Sequence, residues 1–369
     1  MKAKWFVSLV FAFVVAIGWS LAWAQTVKVT PLGAEANRFC VGDRALLFED
    51  PTGVRVLIAP GRTVNGSGDS RLGTLGSVHV LLIDHPHVDH IGDVFHNDCA
   101  GTQALTTPFA FPGEGNAPEI AAGHKSAVLV GGELPDFFTQ KIKNVTGVAP
   151  PGCPATGLDN ILAVPASART GGNANKPCVG VIRGGTRTAV FQGASTGVKI
   201  TTIPAFHAAG ASRAHVDELT ASPGGSVVAD PGIPAGLTGY AGAETGYILR
   251  FTNGLSVLWT GDSGLIGDWA TQAAFYRVNL AVVHGGDLFT MGPDEAAFAV
   301  NQLIKPRSVI PEHFNQVSTT TTGAVIAGTR LERFINLLTG EAQSRVVVPL
   351  SGATFEFDGA GNCVAGPGC

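Results

Sequence analysis

The chain has 369 residues, a formal net charge of −4, 45% apolar side chains and only 14% charged ones. That length and apolar content can fill a large core, which excludes an intrinsically disordered chain. The acidic balance argues against nucleic acid as a partner, because binding to DNA or RNA normally needs a basic surface to replace counterions.

Residues 1–24 begin with Lys2 and Lys4, continue in the apolar run 5–17 and end Ala22-Trp23-Ala24. A basic start, an apolar stretch short for a bilayer and an Ala-x-Ala exit predict a cleaved secretory signal, with the mature chain starting at Gln25. The mature chain then carries 22 basic and 28 acidic residues and no further run long enough to span a membrane, so the expected location is secreted or periplasmic. All six cysteines lie in the exported part, and an even number in an oxidising compartment favours disulfides. Cys153 with Cys178 and Cys363 with Cys369 are the expected pairs, since each closes a loop rich in Gly and Pro.

Short strands are expected at 27–30, 44–49 and 54–58, with Asp50-Pro51-Thr52-Gly53 as a turn. The apolar run 78–83 reads as a buried strand feeding Asp84-His85-Pro86-His87-Val88-Asp89-His90-Ile91-Gly92-Asp93. Three imidazoles and a carboxylate within six residues suit a Zn²⁺-type cation, for which imidazole and carboxylate are the commonest ligands besides thiolate. His85 and His87 stand two apart and can aim together, while Asp89 and His90 start a second pair, which suggests two metals side by side. A helix is expected to start within 93–98, with His96 on its surface, and His79 and His124 are read as structural. The irregular, proline-rich segment 101–197 reads as an insertion braced by Cys153 and Cys178.

Strand 198–204 leads to His207. The runs 245–251 and 255–259 form a hairpin around Thr252-Asn253-Gly254, and Asn-Gly between apolar runs is a strong turn signal. Asp262 follows at once, where a single carboxylate can bridge two cations with its two oxygens. Strand 280–283 leads to His284 and Asp287, and 293–304 reads as a helix with Pro293 in its first turn and Asp294 and Glu295 at its positive end. Strand 308–311 leads to His313 and Asn315, 329–338 is a helix, and strands 345–348 and 354–357 are expected to close a second sheet. A Gly-rich tail, 358–369, is expected at the periphery.

His85-x-His87-x-Asp89-His90 resembles the signature of the metallo-β-lactamase superfamily. Four later segments agree in order: Pro204-Ala205-Phe206-His207, Thr260-Gly261-Asp262-Ser263-Gly264, Gly286-Asp287-Leu288-Phe289-Thr290-Met291-Gly292-Pro293 and Pro311-Glu312-His313-Phe314-Asn315. Together they resemble the branch of metal-dependent hydrolases that includes ascorbate-6-phosphate lactonase-like proteins, over roughly 27–357. Ala34 and Ala59 stand where those relatives carry His and Asp, and Phe314 replaces a common Tyr. The resemblance implies an α/β fold, the four-layer αββα sandwich, with a hydrolase domain at 25–357. It also implies one metal on His85, His87 and His207, a second on Asp89, His90 and His313, and Asp262 between them. His284, Asp287 and Asn315 are expected as supporting or substrate-contacting residues.

Two divalent ions would stabilise hydroxide at neutral pH and polarise the substrate. Lowering the pKa of water from about 15.7 to about 7 corresponds to roughly 12 kcal/mol. Asp89 would orient that hydroxide and carry its proton. Nitrogen and oxygen donors fit Zn²⁺ best, and Mn²⁺ or Fe²⁺ are accepted by the same set. The expected substrate is a small lactone-like ester or amide; a phosphodiester and a non-catalytic metal-binding role are the alternatives. A serine-hydrolase reading fails, because Gly-x-Ser-x-Gly is absent in any strand-to-helix setting. Oligomeric state is not legible from the sequence.

Overall fold

Short aliphatic runs build two large sheets in the computed structural model of the chain, which describes residues 25–369 except 76, 93–94, 102–103, 106–114, 132–133, 155, 158–159, 165–176, 208–209, 213–237, 241–243 and 340–344. The expected signal at 1–24 and Asp93 lie outside the described residues. With strands numbered in chain order, the first sheet runs β19 (Cys363–Ala365), β18 (Phe355–Phe357), β1 (Val27–Pro31), β2 (Leu46–Glu49), β3 (Arg55–Ile58), β4 (Val80–Ile83), β7 (Ala127–Val130), β9 (Cys178–Val181). The second runs β17 (Ser308–Glu312), β16 (Leu280–His284), β15 (Ser256–Trp259), β14 (Thr245–Arg250), β11 (Val198–Pro204), β10 (Thr186–Phe191), β8 (Ile161–Val164). Two ribbons stand apart, β5 (Phe95–His96) with β6 (Ala104–Leu105) and β12 (Gly210–Ser212) with β13 (Thr238–Tyr240).

Each sheet is antiparallel over its β1–β2–β3 or β10–β11–β14–β15 portion and parallel where β3, β4, β7 and β9, or β15, β16 and β17, lie side by side. Parallel strands need cover on both faces, and their sequences are correspondingly apolar throughout. In β4, Val80 and Leu82 face the core between the sheets, while Leu81 and Ile83 face an outer core with α1 (Ser70–Leu75), α3 (Asn116–His124) and α4 (Pro135–Thr146). In β16, Leu280 and Val282 face inward, while Ala281 and Val283 pack with α5 (Asp268–Tyr276), α6 (Pro293–Phe298) and α7 (Arg330–Leu337). The result is the αββα sandwich that defines the metallo-β-lactamase fold.

The C-terminal ends of β4, β11, β15, β16 and β17 meet along one edge, which is where open α/β sheets place ligand sites. Hydrogen bonds across the sandwich fix that edge: the Tyr247 hydroxyl donates to the Ile83 carbonyl at 2.6 Å and the Thr245 amide to the Asp84 carbonyl at 3.3 Å.

Several expectations are corrected. Segment 101–197 is woven into the frame, since it supplies β7 and β9 to the first sheet and β8 and β10 to the second. Instead of a helix within 93–98, a one-turn helix, α2 (Val88–Ile91), ends at Gly92 with φ +75°, and β5 follows. The Phe355–Phe357 strand belongs to the first sheet, beside β1, and the tail returns as β19 on its outer edge. Within 345–348, Val346 forms an isolated bridge to Val309. Disulfides join Cys153 to Cys178 and Cys363 to Cys369, as expected, and Cys40 to Cys99.

Candidate metal centre

β4 ends in a loop that turns back as α2, and this short arc aims four side chains at one spot. His85 and His87 leave from the loop, while Asp89 and His90 sit on α2. Across the cleft, β11 delivers His207, β15 Asp262 and β17 His313. Two ligand clusters form: His85, His87 and His207, and Asp89, His90, Asp262 and His313, with donor atoms within 4.8 Å of one another in each.

Asp262 lies between them. Its Oδ2 is 3.1 Å from His313 Nε2, 3.3 Å from His90 Nε2, 3.7 Å from His207 Nε2 and 3.8 Å from His85 Nε2. His87 Nδ1 and His207 Nε2 are 3.2 Å apart. Donors that share one ion at about 2.0–2.3 Å stand roughly 3–4 Å from each other, so these spacings suit metal coordination. His85 Nε2, His90 Nε2 and His313 Nε2 are buried and make no hydrogen bond. Buried imidazole nitrogens left in that state are costly unless a cation accepts their lone pairs.

The surroundings orient the ligands. Asp84 is buried and its Oδ1 and Oδ2 lie 3.1 and 3.0 Å from His90 Nδ1, which leaves Nε2 to the metal. Arg44 donates to Asp89 Oδ2 and to Asn315 Oδ1, each at 2.9 Å. His284 is fully buried, its Nδ1 2.9 Å from Asp262 Oδ1, so a single oxygen of Asp262 faces both clusters. Behind it, Glu312 Oε2 lies 3.7 Å from His284 Nε2.

Charge balance follows from this packing. Burial would raise Asp89, but the Arg44 guanidinium together with His313 and His90 outweighs it and holds the carboxyl well below its usual range. Burial would likewise raise Asp262, which His313 and His90 keep ionised. Burial alone would depress His90, yet Asp84 and Asp262 on either side hold it well above the ordinary imidazole range. His87 is pulled down to about 4 by burial and by His85, so its ring is neutral and ready to ligate at neutral pH. Burial, with Asp43 nearby, pushes Glu312 well above the carboxylate range.

All seven expected ligands converge. Asp287 and Asn315 line the adjoining cleft, whereas His284 sits behind the ligands and does not line it. Sequence reasoning gave no role to Asp84, Arg44, Glu312 or Arg330. Asp84 was visible as a carboxylate at the strand end directly before His85, and Arg44 as a charge opening an apolar run; Arg330 reaches the cleft only through tertiary packing.

The sandwich and its paired ligand clusters are those of the metallo-β-lactamase fold, and the chain is similar to proteins described as metal-dependent hydrolases. It is similar to the UPF0173 metal-dependent hydrolase of Cupriavidus necator, at 27% identity over 330 residues, covering 89% of this chain and 88% of that protein. A Myxococcus xanthus UPF0173 metal-dependent hydrolase is 38% identical over 134 residues, 35% of this chain and 43% of that protein. No protein-family model matches. Among solved structures, Igni18, a metallo hydrolase from Ignicoccus hospitalis, has 18% identity and a TM-score of 0.48, covering 90% of this chain and 99% of that one. The relatives' shared description names a metal-dependent hydrolase and no substrate, so it supports metal-dependent hydrolysis and does not reach the lactonase-like branch.

Proposed function

We propose that the protein is an exported hydrolase that opens a small carboxylic ester or amide, of the lactone type, at a two-metal centre. The observation that carries this reading is Asp262 Oδ2, set within 3.1–3.8 Å of four imidazole nitrogens drawn from both ligand clusters. When bound, two divalent cations, Zn²⁺ by donor type, supply a nucleophilic hydroxide at neutral pH and polarise the scissile carbonyl.

The chain's own residues hold and aim the ligands. Arg44 keeps Asp89 ionised and turned to the centre, and His284 fixes the carboxylate plane of Asp262. Asp89, half-buried at the cleft, is the carboxylate best placed to orient the attacking group and take its proton. His87 and His207 are also half-buried on the cleft side, which leaves room for substrate beside the ligands and favours catalysis over mere metal storage. The cleft, of about 430 Å³, suits a small molecule. Its lining cations, Arg44 and Arg330, are already paired with Asp89 and Asp287, which favours a neutral acyl group over a phosphodiester. Three disulfides and the apolar leader support export.

The test is a panel of γ-lactones, aryl esters, a β-lactam and bis(4-nitrophenyl) phosphate, assayed on protein whose metal content is measured. Two metals per chain with lactone or ester turnover fastest is the expected result. Faster phosphodiester cleavage overturns the substrate class, and full metal loading without turnover of any compound overturns the enzymatic reading. A secreted product whose mass begins at Gln25 checks export.

A further inference from the structure

Resting on the ester-hydrolase reading, we propose that Leu288 and Phe289 recognise an apolar arm of the substrate, so that the enzyme selects esters bearing an alkyl or aryl group over small polar ones. Both residues line the metal cleft, at the tip of the turn between β16 and α6. Leu288 is 89% exposed and Phe289 60% exposed. Large apolar side chains exposed side by side at the mouth of a site normally mark a binding surface.

The turn is built to hold them there. Asp287 and Leu288 have φ of +59° and +63°, a left-handed pair that L side chains rarely adopt and that persists only when the surroundings impose it. Around it, the Gly286 amide donates to Thr290 Oγ1 at 2.8 Å, the Asp287 amide to the Met291 carbonyl at 3.1 Å and the Met291 amide to the Ser263 carbonyl at 2.9 Å. Arg330 Nε donates to Asp287 Oδ2 at 3.3 Å from the opposite wall. Thr290 and Met291, the next two residues, are buried. Anchors on both sides thus leave the two apolar side chains projecting beside Asp287, which Arg330 holds, and Met291 ties them through Ser263 to the segment that carries Asp262. Val41 adds a third apolar group to the same cleft.

Covering these side chains with methylene groups removes apolar area from water on both partners, which is worth several-fold in binding for each methylene. An arm four methylenes longer should therefore bind at least about tenfold better.

The test compares wild type, the double variant Leu288→Gly/Phe289→Ser and Phe275→Ser, an exposed aromatic on α5 that serves as control. Glycine at position 288 accepts the positive φ, so the loop is not strained further. Two readouts on metal-loaded protein are taken: the kcat/KM ratio of 4-nitrophenyl hexanoate to acetate, with γ-nonalactone to γ-butyrolactone as a second pair, and the Kd ratio of acetate to hexanoate by calorimetry. Wild type and the control should favour the longer member by at least about tenfold in one substrate pair and in carboxylate binding. The double variant should bring both ratios to within about twofold of unity. Equal ratios in wild type, or a preference that survives the double substitution, overturn the proposal. Absence of ester turnover alongside a preserved hexanoate preference counts against the hydrolase reading and not against this one.

Discussion

Asp262 turns one oxygen to both ligand clusters while His284 holds the other, so two cations bound there would not be independent guests. Asp262→Asn keeps the shape and removes the charge; metal content should fall from two per chain to one or none, and turnover by about a thousandfold or more, checked by elemental analysis beside the assay. His284→Ala leaves every ligand in place and should still weaken metal binding by about 10–100-fold, measured by competition with a chromophoric chelator. A different titration governs stability. His79, just before β4 at the end of the strand away from the metals, is pulled down to about 4 by burial, with Arg55 contributing. Its Nδ1 accepts the Arg55 amide at 3.0 Å. Because the folded-state value lies below the unfolded value of about 6.5, the neutral ring's contribution is complete above pH 6.5 and is lost as pH falls from 6.5 towards 4. His79→Asn, which keeps an acceptor, should flatten the denaturation free energy in that window by up to about 1.4 kcal/mol per pH unit relative to wild type. The ligands themselves were legible from sequence because metal chemistry demands a narrow set of residue types at strand ends. Arg44 and Glu312 were not, since a charge beside an apolar run looks the same whether it faces solvent or a buried partner.

At the level of elements, α2 is a single turn that carries two ligands, too short to hold itself by helix propensity. It is wedged instead. A Cβ on Gly61 would overlap the Asp89 carbonyl oxygen, and one on Gly115 would overlap that of Gly92. Gly61→Ala should therefore displace α2, costing about 1–3 kcal/mol in denaturant unfolding and emptying the Asp89, His90 and His313 cluster before the His85, His87 and His207 one, as read by metal stoichiometry. This packing also explains the failed expectation of a helix within 93–98. The left-handed Gly92 stops α2, and the His96 amide then bonds to the Arg62 carbonyl at 2.7 Å in an extended path. Buried strands such as β4, expected at 78–83 and formed at Val80–Ile83, and the Asn-Gly hairpin were readable from local pattern alone. Strand partnership was not, because an alternating run such as Phe355-Glu356-Phe357 fits the edge of either sheet.

Across the whole molecule, the candidate metal ligands are drawn from both halves of the sandwich: four come from the β4–α2 segment of the first sheet and three from the ends of β11, β15 and β17 in the second, so bound ions would join the two. Ions that bind only the folded state stabilise it by mass action, about 4 kcal/mol when the free ion stands a thousandfold above its Kd. Removal of metal by a chelator should accordingly lower Tm by several degrees in calorimetry, and added Zn²⁺ should restore it. The Cys40–Cys99 crosslink has a reach beyond its own loop. It spans 59 positions, a closure worth about 4 kcal/mol on the chain-entropy account, and it ties down the stretch that presents Val41 and Arg44 to the cleft, where the Val41 amide also bonds to the Cys99 carbonyl at 3.1 Å. A chain held in thiol form would own every coordinating side chain yet lack the brace behind Asp89, so the reduced protein is expected to capture ions more weakly than the oxidised one.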